Sequence, residues 1–296
     1  MAKTAVVVVH YGSLQDTKEC IVSLEKSKGS KNREIIIVGN LSTQQLEKEI
    51  PHHQVQVLPL SENKGFAGGV NTGIKKALQD LADYVVVLNN DTLVSTDLVE
   101  NLSQYARDHP QVGLVSPKVY FAKGMEYHFD RYKDSERGQV LWYAGGMIDW
   151  NNVYATHRGV DEVDNGQYDD TTETDFATGC CMLIPRKVIE RVGFFNEKYF
   201  LYFEDVDYSL KVKKEGFKIL YYPQAHLWHK NAASSGKPGS PLHIYYQTRN
   251  RMYFGMNYAT WRTKKSLILD SLRMLSRGGA YRKGVVDYYL GVMGKQ

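Results

Sequence analysis

The chain has 296 residues, 43% hydrophobic and 24% charged, enough apolar material to bury one large core or two smaller ones, which excludes a disordered polypeptide. Its three cysteines, Cys20, Cys180 and Cys181, are odd in number and include an adjacent pair; this excludes a disulfide framework, fits a reducing compartment and offers no zinc spacing. Net charge is +4, but the segment from Arg249 onward holds ten Lys/Arg and two Asp/Glu, a local +8 that leaves the first 248 residues at −4.

Val6-Val7-Val8-Val9 stops at His10, too short for the apolar region of a signal peptide or for a bilayer span, which predicts a cytoplasmic protein. It reads as the first of four buried parallel strands, with Ile35 to Val38, Val55 to Leu58 and Val85 to Leu88. Between them, Asp16 to Lys28 places Cys20, Ile21 and Leu24 on one helical face, and Ala67 to Leu81 places Val70, Ile74, Ala77 and Leu81 on another. The alternation predicts a doubly wound α/β unit with right-handed crossovers. After Asp91 come a helix over Asp97 to His109, a strand over Gly113 to Tyr120 and an irregular stretch over Phe121 to Gln139. Tyr143 to Trp150 and Val153 to Arg158 read as a strand pair turning through Asn151-Asn152. The acidic run Asp161 to Asp175 reads as exposed and mobile. Phe176 to Pro185 reads as a strand leading into a helix over Lys187 to Val192, followed by a helix over Asp205 to Glu215 capped by Gly216, and a last strand, Ile219 to Tyr222, stopped by Pro223.

Several groups are candidates for chemistry. Asp91 follows a strand and Asn89-Asn90, where an open α/β sheet binds ligands; a carboxylate there suits a magnesium or manganese ion carrying a nucleotide diphosphate, and equally an Asx turn. The loop Asn63-Lys64-Gly65-Phe66-Ala67-Gly68-Gly69-Val70-Asn71 enters a helix, as a phosphate or ribose cradle or as a structural turn; its spacing matches neither a dinucleotide fingerprint nor a P-loop. Glu204, Asp205 and Asp207 open a helix, more acid than capping requires, so the Glu204-Asp205 pair is a candidate general base as well as a cap. His229 lies where the chain leaving the last strand returns toward Asp91, while His226 reads as loop packing. Arg249 suits a phosphate clamp or a salt bridge to the acidic body.

In order, Val8-Val9-His10-Tyr11-Gly12 with Thr17, Cys20 and Leu24, the Asn63 to Asn71 loop, Leu88-Asn89-Asn90-Asp91-Thr92, Thr178-Gly179-Cys180-Cys181-Met182-Leu183-Ile184, Phe203-Glu204-Asp205-Val206-Asp207, His229 and Arg249-Asn250 span roughly 250 residues. Together they resemble the inverting family-two glycosyltransferases of the GT-A fold, especially the rhamnosyltransferase-like branch. The resemblance implies an α/β nucleotide-diphospho-sugar transferase fold, with a mostly parallel central sheet flanked by helices and a C-terminal helical extension. It implies a catalytic domain over residues 1–230, split into a nucleotide-binding half (1–92) and an acceptor half (93–230), and a basic extension over 231–296. The implied activity is sugar transfer with inversion from a nucleotide diphosphate, dTDP- or UDP-linked, with Mn2+ or Mg2+. Asp91 would end the family's Asp-x-Asp element, with Asn89 in its first position, and hold the metal with His229. Asp205, beside Glu204, would be the base. His10, Gly12, Asn40, Lys64, Gly65, Asn71, Asn90 and Arg249 would hold the donor. One departure stands out: Gly39 takes the place of an Asp that contacts the base in many relatives, and losing that hydrogen bond costs roughly 0.5–1.5 kcal/mol.

The expected role is surface polysaccharide synthesis on a glycan or lipid-linked acceptor. An inactive sugar-nucleotide-binding subunit and a nucleotidyltransferase are the competing readings. Arg262, Lys264 and Lys265 before Leu267-Ile268-Leu269, with Leu272, Met274 and Leu275, form a basic and apolar helix suited to peripheral membrane contact or to docking on the body. Self-association is compatible with the sequence; nucleic acid is not an expected partner.

Overall fold

The computed structural model describes residues 2–29, 32–39, 55–231 and 239–296. Strands β1 (Thr4–His10), β2 (Arg33–Gly39), β3 (Val55–Pro59) and β4 (Tyr84–Asn89) form a parallel run in the order β3-β2-β1-β4. Helix α1 (Leu14–Glu25) follows β1, and α2 (Gly65–Gln79) follows β3. Side chains alternate across a strand, so Val6 and Val8 pack with Cys20, Ile21 and Leu24 of α1, whereas Val7 and Val9 pack with Val70, Ile74 and Ala77 of α2. Each such buried Val or Ile contributes about 1.5–3 kcal/mol. Helix α2 comes close to the sheet because Gly73 faces β1: a Cβ there would lie 2.2 Å from Val7 Cγ1.

Beyond β4 the sheet is mixed. Strand β5 (Thr92–Val94) is short; α3 (Leu98–Asp108) leads to β6 (Val112–Phe121), and a 3-10 turn occupies Phe129–Arg131. Strand β7 (Leu141–Tyr143) joins β6, while β8 (Gly146–Asp149) and β9 (Tyr154–His157) form a separate two-stranded sheet through the expected Asn151-Asn152 turn. The predicted strand from Tyr143 to Trp150 is thus split between two sheets. Strand β11 (Cys181–Pro185) inserts antiparallel between β4 and β6 and runs into α4 (Arg186–Val192). Helix α5 (Glu204–Lys214) precedes β12 (Lys218–His229), which lies parallel to β6.

Two expectations need correction here. Pro223 does not end the last strand: the β12 to β6 register shifts between Tyr222 and His226, so the residue lacking an N–H sits in a bulge and the strand continues to His229. The acidic run is largely exposed, as expected, but it is tied down: Lys118, 3% exposed, bonds Asp164 at 2.7 Å and Asp169 at 2.5 Å, and β10 (Thr172–Glu173) pairs with β12.

At the C-terminal end, α6 (Pro241–Tyr258), α7 (Trp261–Arg277) and α8 (Gly279–Tyr289) pack together. The expected division at 230/231 falls before α6, whose Arg249 and Asn250 are fully buried against the body. Helix α7 buries Thr263, Leu267, Ser271 and Met274 and leaves Trp261, Ile268, Leu269 and Leu272 exposed. Among the described residues no helix is long and apolar enough to cross a membrane.

Candidate active site

The carboxyl ends of β1 and β4 open into a cavity of about 580 Å³. Asp91 occupies the turn between β4 and β5, and β5 pairs antiparallel with the end of β12, setting Thr92 opposite His229. That register brings His229 Nε2 to 3.1 Å from Asp91 Oδ1, with the Lys230 N–H donating to the Asp91 carbonyl at 2.9 Å. Both side chains are buried, and His229 Nδ1 has no hydrogen-bond partner.

This pair fits a divalent ion. Two neighbouring ligands of an octahedral ion with bonds of about 2.1 Å are about 3 Å apart, and such ions commonly take one or two protein ligands, with phosphates and water completing the shell. Among the described residues no group of three His, Cys, Asp or Glu forms a candidate metal cluster.

Asn90 supports the turn from behind. Its Nδ2 donates to the Tyr11 carbonyl at 3.1 Å and to Thr17 Oγ1 at 2.9 Å, and Thr17 Oγ1 lies 2.6 Å from His10 Nδ1. Burial holds the His10 imidazole below its usual range. His10 is therefore a buried strut behind the cavity, while Asn90 contributes to the wall.

The same cavity is lined by Glu204 and Asp205 at the start of α5. Asp205 Oδ2 accepts from the Gly179 N–H at 2.9 Å, and Oδ1 from the Val206 N–H at 2.8 Å. Burial raises the Asp205 pKa against the lowering effect of these amides. Glu204 is pushed up further, first by burial and then by the charge of Asp205, and its Oε2 is buried without a partner. The third acid, Asp207, turns away and accepts from the Tyr199 hydroxyl at 3.1 Å and the Tyr258 hydroxyl at 2.8 Å.

The pair is aimed by an unusual turn. Phe200, Tyr202 and Phe203 all have left-handed backbones, with φ of 65°, 69° and 72°. Such conformations cost non-glycine residues about 1–3 kcal/mol each and persist only where their surroundings hold them. The Phe200 carbonyl accepts from the Phe66 N–H at 2.9 Å, and a Cβ on Gly65 (φ +70°) would lie 2.3 Å from that carbonyl oxygen. The Gly-rich loop and the acid pair are thereby joined.

Of the residues expected to hold the donor, Gly65 and Asn90 line the cavity. Lys64 is exposed and off the wall, Gly12 is exposed in the turn after β1, and Asn40 lies outside the described residues. The Asn71 amide is engaged elsewhere: Nδ2 donates to the Phe195 carbonyl and Glu197 Oε1, and Oδ1 accepts from the Phe195 N–H. Arg249 likewise does not reach the cavity; it is fully buried and bonded to the carbonyls of Lys198, Tyr199 and Gly294. The expected phosphate clamp is replaced by a buried guanidinium whose hydrogen bonds are met by these carbonyls and by the side chains of Asn250 and Tyr245.

Several wall residues carry no signal legible in the sequence. Trp142 on β7 meets the His229 ring edge-on, with centroids 4.6 Å apart, and the His157 ring at 4.3 Å. His157 Nδ1 lies 3.1 Å from the Trp142 carbonyl, and burial lowers its pKa to about 4, so it is neutral at ordinary pH. Tyr127 comes from the irregular segment, and His243 and Gln247 from α6. Only tertiary folding brings these together.

Residues 2–255 match a family model described as glycosyltransferase like family 2. The chain is 23% identical over 248 residues to the low-salt glycan biosynthesis hexosyltransferase Agl10 of Haloferax volcanii, covering 83% of this chain and 73% of that protein. It is 27% identical over 220 residues to an N-acetylglucosaminyl-diphospho-decaprenol L-rhamnosyltransferase of Mycobacterium tuberculosis, covering 70% and 69%. It is 22% identical over 254 residues to the dTDP-rhamnosyl transferase RfbF of Shigella flexneri, covering 83% and 77%. Among solved structures, it is similar to GalNAc-T7 with UDP, GalNAc and Mn2+ at a TM-score of 0.63 and 14% identity, covering 84% of this chain and 48% of that one. The mannosyltransferase PcManGT of Pyrobaculum calidifontis, in complex with GDP-Man and Mn2+, matches at 0.55 and 16% identity, covering 96% and 73%. The shared architecture is the GT-A fold.

Proposed function

The chain belongs to glycosyltransferase family 2, and on that premise we propose that it moves a hexosyl or rhamnosyl group from a nucleotide-diphosphate sugar to a hydroxyl of a glycan or lipid-linked acceptor, with inversion and with Mn2+ or Mg2+. The observation that carries this reading is the opening of the Asp91 and His229 pair and the Asp205 carboxylate into one cavity, although Asp91 and His229 are 138 positions apart in the chain.

In this proposal Asp91 and His229 hold the cation. When bound, the ion supplies Lewis-acid stabilisation of the charge developing on the leaving diphosphate. Asp205, fixed by the Gly179 and Val206 amides, removes the acceptor proton as the hydroxyl oxygen attacks the anomeric carbon from the face opposite the diphosphate. Its raised pKa brings it nearer the range where a base works well at neutral pH. Trp142 and Tyr127 provide apolar ring surface for a saccharide on the acceptor side. The names of the relatives favour a rhamnosyl or other hexosyl group, and that of RfbF a thymidine donor; Gly39 leaves the base to be recognised without the carboxylate found in many relatives.

The proposed setting is the cytoplasmic face of a membrane. The exposed Trp261, Ile268, Leu269 and Leu272 on α7, interleaved with Arg262, Lys264 and Lys265, match an anionic lipid surface in both polarity and charge. Flotation with phosphatidylglycerol vesicles tests this, and absence of salt-sensitive binding removes it.

A thermal-shift series with UDP, dTDP and GDP, each with and without Mn2+, followed by product analysis with the matching sugar nucleotides, tests the reaction. Sugar transfer with release of nucleoside diphosphate is expected. Pyrophosphate release would point to nucleotidyl transfer, and binding without turnover of any donor to a sugar-nucleotide-binding subunit.

A further inference from the structure

Arg249 and Asn250 are fully buried on α6, yet their polar atoms converge on one short segment. Asn250 Nδ2 donates toward the carbonyls of Tyr199, Leu201 and Tyr202 at 3.0, 2.7 and 2.9 Å. Asn250 Oδ1 accepts from Arg249 Nε–H at 3.0 Å, which orients the amide so that its NH2 faces the turn. Arg249 Nη2 adds bonds to the carbonyls of Tyr199 and Lys198 at 2.9 and 3.3 Å. The segment gripped in this way is the one with three left-handed non-glycine residues, and it ends on Glu204 and Asp205. Phe203 precedes α5 without a side-chain cap bond, so this grip stands where a helix cap would otherwise fix the entry angle.

We propose that Arg249 and Asn250 are positioning residues: their hydrogen bonds hold the Tyr199 to Phe203 turn in its left-handed path and so aim the Glu204 and Asp205 carboxyls into the cavity. The Phe66 N–H to Phe200 carbonyl bond extends the same control to the start of the Gly-rich loop. Neither residue touches substrate. The kinetic part of this inference rests on the sugar-transfer reading, whereas the conformational part does not.

The test is a cycle of Asn250→Ala, Tyr202→Gly and the double variant, with Arg249→Lys as a second probe because a single ammonium does not span the carbonyls that the guanidinium bridges. Glycine adopts positive φ without strain, so a turn that no longer needs to be held should depend less on Asn250. Asn250→Ala is expected to lower kcat about 100-fold, the scale of a misplaced catalytic group, with donor KM within threefold. The loss from the same change in the Tyr202→Gly background should be at least fivefold smaller. Amide hydrogen exchange should rise across residues 202–206 in Asn250→Ala and remain unchanged in β4. An equal kcat loss in both backgrounds, or a matching rise in donor KM, overturns the proposal. If Asn250→Ala does not fold, Arg249→Lys must show the same split between kcat and KM, and failure to do so overturns it too. Absence of turnover in the unmodified chain would refute sugar transfer alone, since exchange at 202–206 still decides the positioning role.

Discussion

His229 and Asp91 stand 138 positions apart in the chain, yet their side chains meet at 3.1 Å. The cause is one strand register, in which the end of β12 pairs with β5 immediately after the Asp91 turn. Asp91→Ala should therefore weaken nucleoside diphosphate binding by about 10- to 100-fold, the scale on which loss of a metal-site group acts, and should abolish its enhancement by Mn2+. Titration calorimetry with UDP and dTDP, with and without Mn2+, measures both effects. An unchanged manganese response would place the ion elsewhere.

Asp205→Asn keeps the shape of the side chain and removes the proton acceptor. Turnover should fall by about 10²–10⁴-fold, the usual contribution of a general base, while donor affinity stays within a few fold because the base acts on the acceptor. Paired measurements of kcat and donor Kd decide the matter; full activity would remove Asp205 from the chemistry.

The parallel half of the sheet was legible because its strands are short β-branched runs separated by helices of clear period, as in Val6 to Val9 and Val85 to Leu88. Asp91 stood out because the end of such a strand is where ligands bind. The rest depended on contacts that sequence does not encode locally. Arg249 looks like an anion clamp by type, and only the fold reveals that backbone carbonyls surround it. Trp142 and His157 lie in segments of weak period, and the contact of the Trp142 ring with both His157 and His229 follows from the packing of β7 and β9 at the cavity. Pro223 ended the predicted strand because a missing N–H normally does so, and the bulge that accommodates it is a property of the pairing with β6.

Glu204 links the site to stability. In the folded chain burial and the neighbouring Asp205 raise its pKa well above the ordinary 4.5. Between 4.5 and that raised value the native state holds a proton that the unfolded chain has released, so stability falls as pH rises through the window. The contribution is complete below 4.5 and is lost above the folded pKa. Glu204→Gln mimics the neutral carboxyl and removes the titration; its Tm should decline less than that of the unmodified chain between pH 5 and pH 8. Thermal unfolding at steps of one pH unit is the measurement, and parallel curves for the two proteins would contradict the assigned protonation.

Gly65 and Gly193 separate backbone strain from steric conflict. Both have positive φ, +70° and +86°, with Gly193 at ψ −150° in a region that essentially only glycine populates, but a Cβ on Gly65 would strike the Phe200 carbonyl at 2.3 Å, whereas a Cβ on Gly193 would meet nothing within 4 Å. Gly193→Ala should cost about 1–3 kcal/mol from backbone strain alone and leave nucleotide binding unchanged. Gly65→Ala adds displacement of the Phe200 carbonyl and loss of its bond from the Phe66 N–H, so its cost should exceed that of Gly193→Ala by at least 1 kcal/mol, about the value of one buried hydrogen bond. Because the same carbonyl belongs to the turn that leads into Glu204 and Asp205, Gly65→Ala should also reduce turnover. Urea unfolding of both variants, with donor titration and activity alongside, makes the comparison. Equal stability losses with unaltered donor binding and turnover would mean that the Gly-rich loop and the acid pair are not mechanically connected.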